Sequence, residues 1–402
     1  MTSHRGSVEK SGGISVWGER CAETISRRIA QITNHRSHAE VTASSQVHTA
    51  KGTASARPNI PVSIETSATS FLGGFMYRYS KLGLGIATAL AFGALASSAS
   101  ALTLRVSDSH NADHSTVVAL EEMGQHLDER TNGEVKFKVF PNGVLGTEAE
   151  MINQLRTGIL DIVRTNPADL EKFNPVYSAF LLPYLFNDDA SATVAMNAVK
   201  DEVFQTHLDT GFMGVAWNIA PSRSFYTVNK QINTPEDLAG LKIRVPNSRS
   251  MADAVQLLGA TPTPIPFGDA YTALQQGIVD GAEGSPAALI DSKQVEIVKY
   301  FSYDRHFLIP DVMIISTKSW DKLTDEQKAI FEDEAAIYTK RVDELEAAKN
   351  AKSLQECKDA GVVFTDVDMT PFKERVQPLY DEIAASNPEA SAIVDKIIAA
   401  QQ

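Results

Sequence analysis

The feature that most constrains this chain is a double switch of hydrophobic period between Leu102 and Phe140. Leu102-Thr-Leu-Arg-Val106 reads as a buried strand, and the residues from Ser107 to Ser115 as the polar loop after it. Val117, Leu120, Met123 and Leu127 then recur at helical spacing up to Gly133, a good helix stop. Glu134-Val-Lys-Phe-Lys-Val-Phe140 alternates polar and apolar residues as a second strand, turned by Pro141-Asn-Gly143. Strand, helix and strand in so short a span is the pattern of an α/β fold, in which helices cover a sheet.

The alternation continues along the chain. Leu155 to Val163 predicts a helix end, Gly158 and a short strand, while Gly214-Val-Ala-Trp217 and Leu241-Lys-Ile-Arg-Val245 predict two more strands. Thr324 to about Ala360 reads as one long helix, opened by a capping box of Thr324 with Gln327 and closed by Gly361. At 1.5 Å per residue it would run roughly 50 Å, longer than one small domain is wide, so it is expected to lie across two lobes. The 402 residues allow two or three domains.

Charge separates the first quarter from the rest. Residues 1–101 hold 10 Lys and Arg against 5 Asp and Glu, a balance of +5; the remainder holds 27 against 45, or −18. At the junction Arg78 and Lys81 precede the apolar run Leu82–Ala96, and Ala99-Ser-Ala101 follows. That is the three-part form of a secretory signal, 76–101, with cleavage expected after Ala101. The competing reading is an uncleaved membrane span, but the run has 15 residues where a bilayer needs roughly 20. Met76 is then the expected start, and residues 1–75, rich in Ser, Thr and Ala, are expected to be a non-native or disordered extension. The overall charge of −13 argues against a nucleic-acid partner, and two cysteines cannot form a framework of bridges.

Catalytic constellations are scarce. Ser319-Trp-Asp-Lys322 has the spacing of an acylating Ser-x-x-Lys without its companion motifs, and neither a nucleophile elbow nor a glycine-rich phosphate loop occurs. His110 and His114 could supply two imidazoles to a metal, so a secreted metal-dependent enzyme is one reading; a loop whose Ser, Asn and Asp cap the next helix is the other. A stronger pattern is arginine where a strand ends. Arg244 ends an apolar alternation, Arg164 follows Leu160-Asp-Ile-Val163, and Arg223 comes shortly after the Trp217 strand. In α/β sheets ligands bind at the carboxyl ends of strands, and Arg offers a planar fork to carboxylate. The three therefore point either to an anion pocket or to three surface ion pairs.

Several segments carry a family resemblance: Val139–Glu148, Leu182-Pro-Tyr-Leu-Phe186, Leu238–Asn247, Gly259–Pro264 and Ala270–Glu283. On them, residues 102–385 resemble the periplasmic solute-binding subunit of a tripartite ATP-independent periplasmic (TRAP) transporter, of the dicarboxylate and sugar-acid type. The resemblance implies two α/β lobes joined by hinge strands, with lobe I at 102–224, lobe II at 225–308, and a return to lobe I at 309–402 that includes the long spanning helix. It implies capture of a small organic acid, most closely a hexuronate, for handover to membrane subunits. C4-dicarboxylates or keto acids are the alternative ligands, and neither a catalytic residue nor a cofactor or metal is expected. Arg244 matches the arginine that clamps the ligand carboxylate, and Arg223 a second arginine. Arg164, Glu148 and His110 would face the sugar's hydroxyls or carboxylate. His306 is similar to a histidine near the second hinge. Gly284 stands where the family usually has a ligand-contacting Asn, which leaves room for water or a larger ligand group.

Overall fold

The computed structural model describes residues 101–402, so the 1–75 extension and the signal segment up to residue 100 lie outside the described residues. Two sheets organise that part. The first has five strands, and its parallel half is built from β1 (Leu102–Ser107), β2 (Val135–Phe140) and β3 (Ile162–Thr165). The helix Ser115–Arg130 between β1 and β2 buries Val117, Leu120, Met123 and Leu127, the residues its period singles out. Its N-cap is His114, which accepts from the Thr116 N–H, rather than the Ser, Asn or Asp expected for that role. The helix Glu148–Thr157 stops at Gly158, whose φ of 83° is reached without strain only by glycine. β4 (Phe212–Ile219) completes this sheet from the far edge, in the order β2-β1-β3-β10-β4, once the chain returns as β10 (Pro310–Ser316).

Three residues after β4 the chain enters the second sheet. Its strands are β5 (Arg223–Thr227), β6 (Lys242–Val245), β7 (Thr261–Pro264), β8 (Gly281–Gly284) and β9 (Tyr300–Phe307). A crossing through residues 308–309 leads back to β10 (Pro310–Ser316), antiparallel to both β3 and β4. The long helix, Asp325–Asp359, has the expected Thr324 capping box. It packs on helix Ser115–Arg130 beside the first sheet and on helix Pro286–Asp291 beside the second, and so spans both. It ends where β11 (Val363–Asp366) joins the edge of the six-stranded sheet, ordered β11-β9-β5-β8-β6-β7. The segment expected to return to lobe I therefore also supplies a strand to the other sheet, because the long helix carries the chain back across. Among the described residues no helix is long and apolar enough to cross a membrane.

Candidate functional site

The strand ends of the two sheets face one cavity, and each wall brings a buried arginine to it. On the first wall Arg164, in β3, is enclosed. Its Nε lies 3.3 Å from both oxygens of Asp108, its Nη1 donates to Asp311 Oδ1 at 3.1 Å, and its Nη2 donates to His110 Nε2 at 2.8 Å. Burial works against its charge, but the two carboxylates hold it protonated above the usual arginine range. Asp108 in turn is pulled below the ordinary carboxylate range: burial opposes ionisation, and the charge of Arg164, the His110 N–H and the Thr116 hydroxyl override it. His110 stacks on His114 with ring centroids 3.7 Å apart and meets Phe267 edge-on at 5.6 Å. Burial, then the charge of Arg164, pushes His110 well below its usual value, and burial takes His114 down to about 3. Both imidazoles are therefore neutral, each with one N–H donor and one acceptor nitrogen.

The second wall differs. At the start of β5, Arg223 forms a two-pronged pair with Glu283 of β8, its Nη2 donating to Oε1 at 2.8 Å and its Nε to the other oxygen. Burial disfavours the Glu283 charge, but Arg223 holds the carboxyl below its ordinary range. Arg244 in β6 is 4% exposed, and its Nε donates to the Ile265 carbonyl at 2.9 Å. Among the described residues no carboxylate forms an ion pair with it. Burial accordingly lowers its proton affinity, with Glu283 at longer range partly restoring it.

Acceptors complete the enclosure. Glu148 opens the helix Glu148–Thr157, and Asp169 sits in the short helix Pro167–Leu170 that follows Arg164. Burial, and then the charge of Glu148, pushes Asp169 up to about 7. Tyr226, its hydroxyl bound to Gln294 at 2.7 Å, covers the opposite side. The result is a chamber of mixed polar and apolar lining with one buried cation that no described carboxylate pairs, suited to holding an anion whose body carries hydrogen-bond donors.

The model of the family described as bacterial extracellular solute-binding protein, family 7, matches residues 106–387. The chain belongs to this family. Among relatives, the protein YiiZ of Salmonella typhimurium is 39% identical over 65% of this chain and 81% of its own length. A TRAP periplasmic solute-binding protein from Anaerococcus prevotii, solved with bound α/β-D-glucuronate, is 33% identical with a TM-score of 0.72, covering 74% of this chain and 98% of its own. One from Xanthobacter autotrophicus, solved with bound β-D-galacturonate, is 33% identical with a TM-score of 0.71 over 74% and 99%.

In this solute-binding protein five of the seven residues singled out from sequence, His110, Glu148, Arg164, Arg223 and Arg244, line the one cavity. Arg164 and Arg244 are buried, which removes the reading of three surface ion pairs. His306 is not in the cavity wall: it is fully buried, stacked on Phe225 at 4.2 Å, with its Nδ1 2.7 Å from Asp304 Oδ2. Its place in the core of β9 puts it behind the lining strand. Gly284 lies between two lining residues, Glu283 and Ser285, and offers no side chain; a Cβ there would point at the Tyr226 ring, 3.3 Å away. No three metal-ligating side chains converge among the described residues, since the His110 and His114 rings lie face to face. Sequence reasoning missed Asp169, Tyr226 and Asp311. For Asp169 a signal existed: Asn166-Pro167 starts a new helix right after a strand, which places the next carboxylate at the strand's ligand-facing end.

Proposed function

We propose that this solute-binding protein captures a small monocarboxylate with a polyhydroxyl body, most closely a hexuronate, and delivers it chemically unchanged to TRAP membrane subunits. It would do so in the periplasm, after removal of the signal segment at Ala101. The observation that carries this reading is Arg244: a buried guanidinium facing the cavity without a carboxylate of its own. A ligand carboxylate restores the missing charge, and closing the chamber around it makes each charged hydrogen bond stronger than in water.

The rest of the lining favours hydroxyls over a second carboxylate. Arg164 is already neutralised by Asp108 and Asp311, and Arg223 by Glu283. Glu148, Asp169 and the neutral His110 offer acceptors that suit sugar hydroxyls, and none of them supplies a cation for a second carboxylate. That arrangement speaks for a uronate over a C4-dicarboxylate, in agreement with the glucuronate and galacturonate held by similar solved proteins. Gly284 leaves space beside Tyr226 for the ligand or a bridging water.

A thermal-shift panel of D-glucuronate, D-galacturonate, aldonates, C4-dicarboxylates and keto acids tests the reading. A ligand at 100 times its Kd adds about 2.7 kcal/mol of stability. A shift with uronates supports the proposal, a shift confined to C4-dicarboxylates or keto acids moves the ligand, and no shift with any organic acid defeats it.

A further inference from the structure

One polar contact near the cavity joins elements carried by different sheets, and the ligand reading above does not use it. Glu171 lies at the end of the short helix Pro167–Leu170, which follows β3 of the five-stranded sheet. Ser248 and Ser250 open the helix Arg249–Leu258, which follows β6 of the six-stranded sheet. Ser248 Oγ donates to Glu171 Oε1 at 2.6 Å, Ser250 Oγ donates to Oε2 at 2.5 Å, and the Ser250 N–H approaches Oε1 at 3.4 Å. Ser248 is also the helix N-cap, accepting the Met251 N–H at 3.1 Å. Both carboxylate oxygens are thus bound at the positive end of a helix dipole.

We propose that Glu171, with Ser248 and Ser250, is a latch that holds the two sheets' elements together over a bound ligand and sets how long it stays. The inference rests on the reading of the cavity as a ligand chamber. Two observations support a latch in preference to a permanent strut. First, Glu171 forms no ion pair among the described residues and is only half-buried, so its charge is met by hydroxyl and amide donors that water can replace on opening. Second, Ser248 stands four residues beyond Arg244 on the same strand-to-helix connection. The strand that carries Arg244 therefore also positions the serines against Glu171, so the latch favours the closed arrangement with or without a ligand and adds to the hold on a bound one. The residue is a positioning residue: it acts through closure without touching the ligand.

The test uses D-glucuronate and D-galacturonate as probes in stopped-flow displacement. Glu171→Ala is expected to raise koff about tenfold or more, the worth of charged hydrogen bonds lost, with kon nearly unchanged. Ser250→Ala is expected to give a smaller rise that does not add to that of Glu171→Ala, whereas Glu171→Gln, which keeps an acceptor, lies between the two. An unchanged koff in Glu171→Ala, or full additivity with Ser250→Ala, overturns the latch. If neither uronate binds the parent protein, the proposed function fails while the latch is still decided. Spin labels at exposed Lys138 and Gln276 then report the separation of the two sheets in the ligand-free protein. A shift to longer distances in Glu171→Ala supports the latch, and superimposable distributions overturn it.

Discussion

On one wall of the cavity Arg164 is held by Asp108, Asp311 and His110; on the other Arg244 has a single carbonyl. Both are buried arginines at the ends of short apolar strands. The first is part of the scaffold, because its charge is already answered and its removal would leave two carboxylates buried and unpaired. The second is held in reserve for a ligand. A buried arginine therefore says little about function until its partners are counted: the informative group is the one whose partner is missing.

Substituting each arginine by methionine gives the sharpest way to break this comparison. Arg244→Met is expected to lower affinity for the preferred uronate by two to three decades in titration calorimetry, about 3–4 kcal/mol, and to leave the ligand-free melting temperature unchanged or higher. Arg164→Met is expected to act in the opposite sense, lowering ligand-free stability by about 3–5 kcal/mol because Asp108 and Asp311 lose their common cation. Equal losses of stability in the two variants would remove the distinction.

Glu283→Gln sharpens it at smaller amplitude. The amide keeps an acceptor for Arg223 but frees its charge, creating a second uncompensated cation on the second wall. Affinity for C4-dicarboxylates relative to uronates is expected to rise about tenfold, the worth of one charged hydrogen bond. A ratio unchanged from the parent protein would show that Arg223 does not limit the charge of the ligand.

The smallest effect concerns Asp169, whose carboxyl burial and Glu148 push up to about 7. Its folded-state value lies above the ordinary 3.8, so its contribution to stability is complete below pH 4 and is lost as pH rises through 7. Asp169→Asn is therefore expected to raise the ligand-free melting temperature above pH 7 and to make no difference below pH 4. A pH-independent effect in thermal melts would contradict the burial argument.

Much of this architecture is legible in local pattern, and the failures are instructive. β7 is Thr-Pro-Thr-Pro, which no period identifies as a strand; it is tolerated because it pairs with β6 alone at the sheet edge, where a missing N–H costs little. β8, Gly281-Ala-Glu-Gly284, has the composition of a turn yet is buried throughout between β5 and β6. A Cβ on Gly281 would collide with the Tyr226 carbonyl, so the glycine reflects a close approach by a neighbouring strand. His306 shows the converse: a residue type suited to a ligand, placed by β9 in the core against Phe225.

By itself the sequence determined the α/β alternation, the long helix with its cap, and the placing of arginines at strand ends, because each depends on residues within a few turns of one another. Its local pattern could not separate Arg164 from Arg244; only the family resemblance singled out Arg244 as the clamp. The partners that neutralise Arg164 come from 56 and 147 residues away, and the want of such a partner at Arg244 is a property of everything folded around it. Burial and counter-charge are set jointly by distant segments, so the tertiary structure alone decided which guanidinium faces the cavity unanswered.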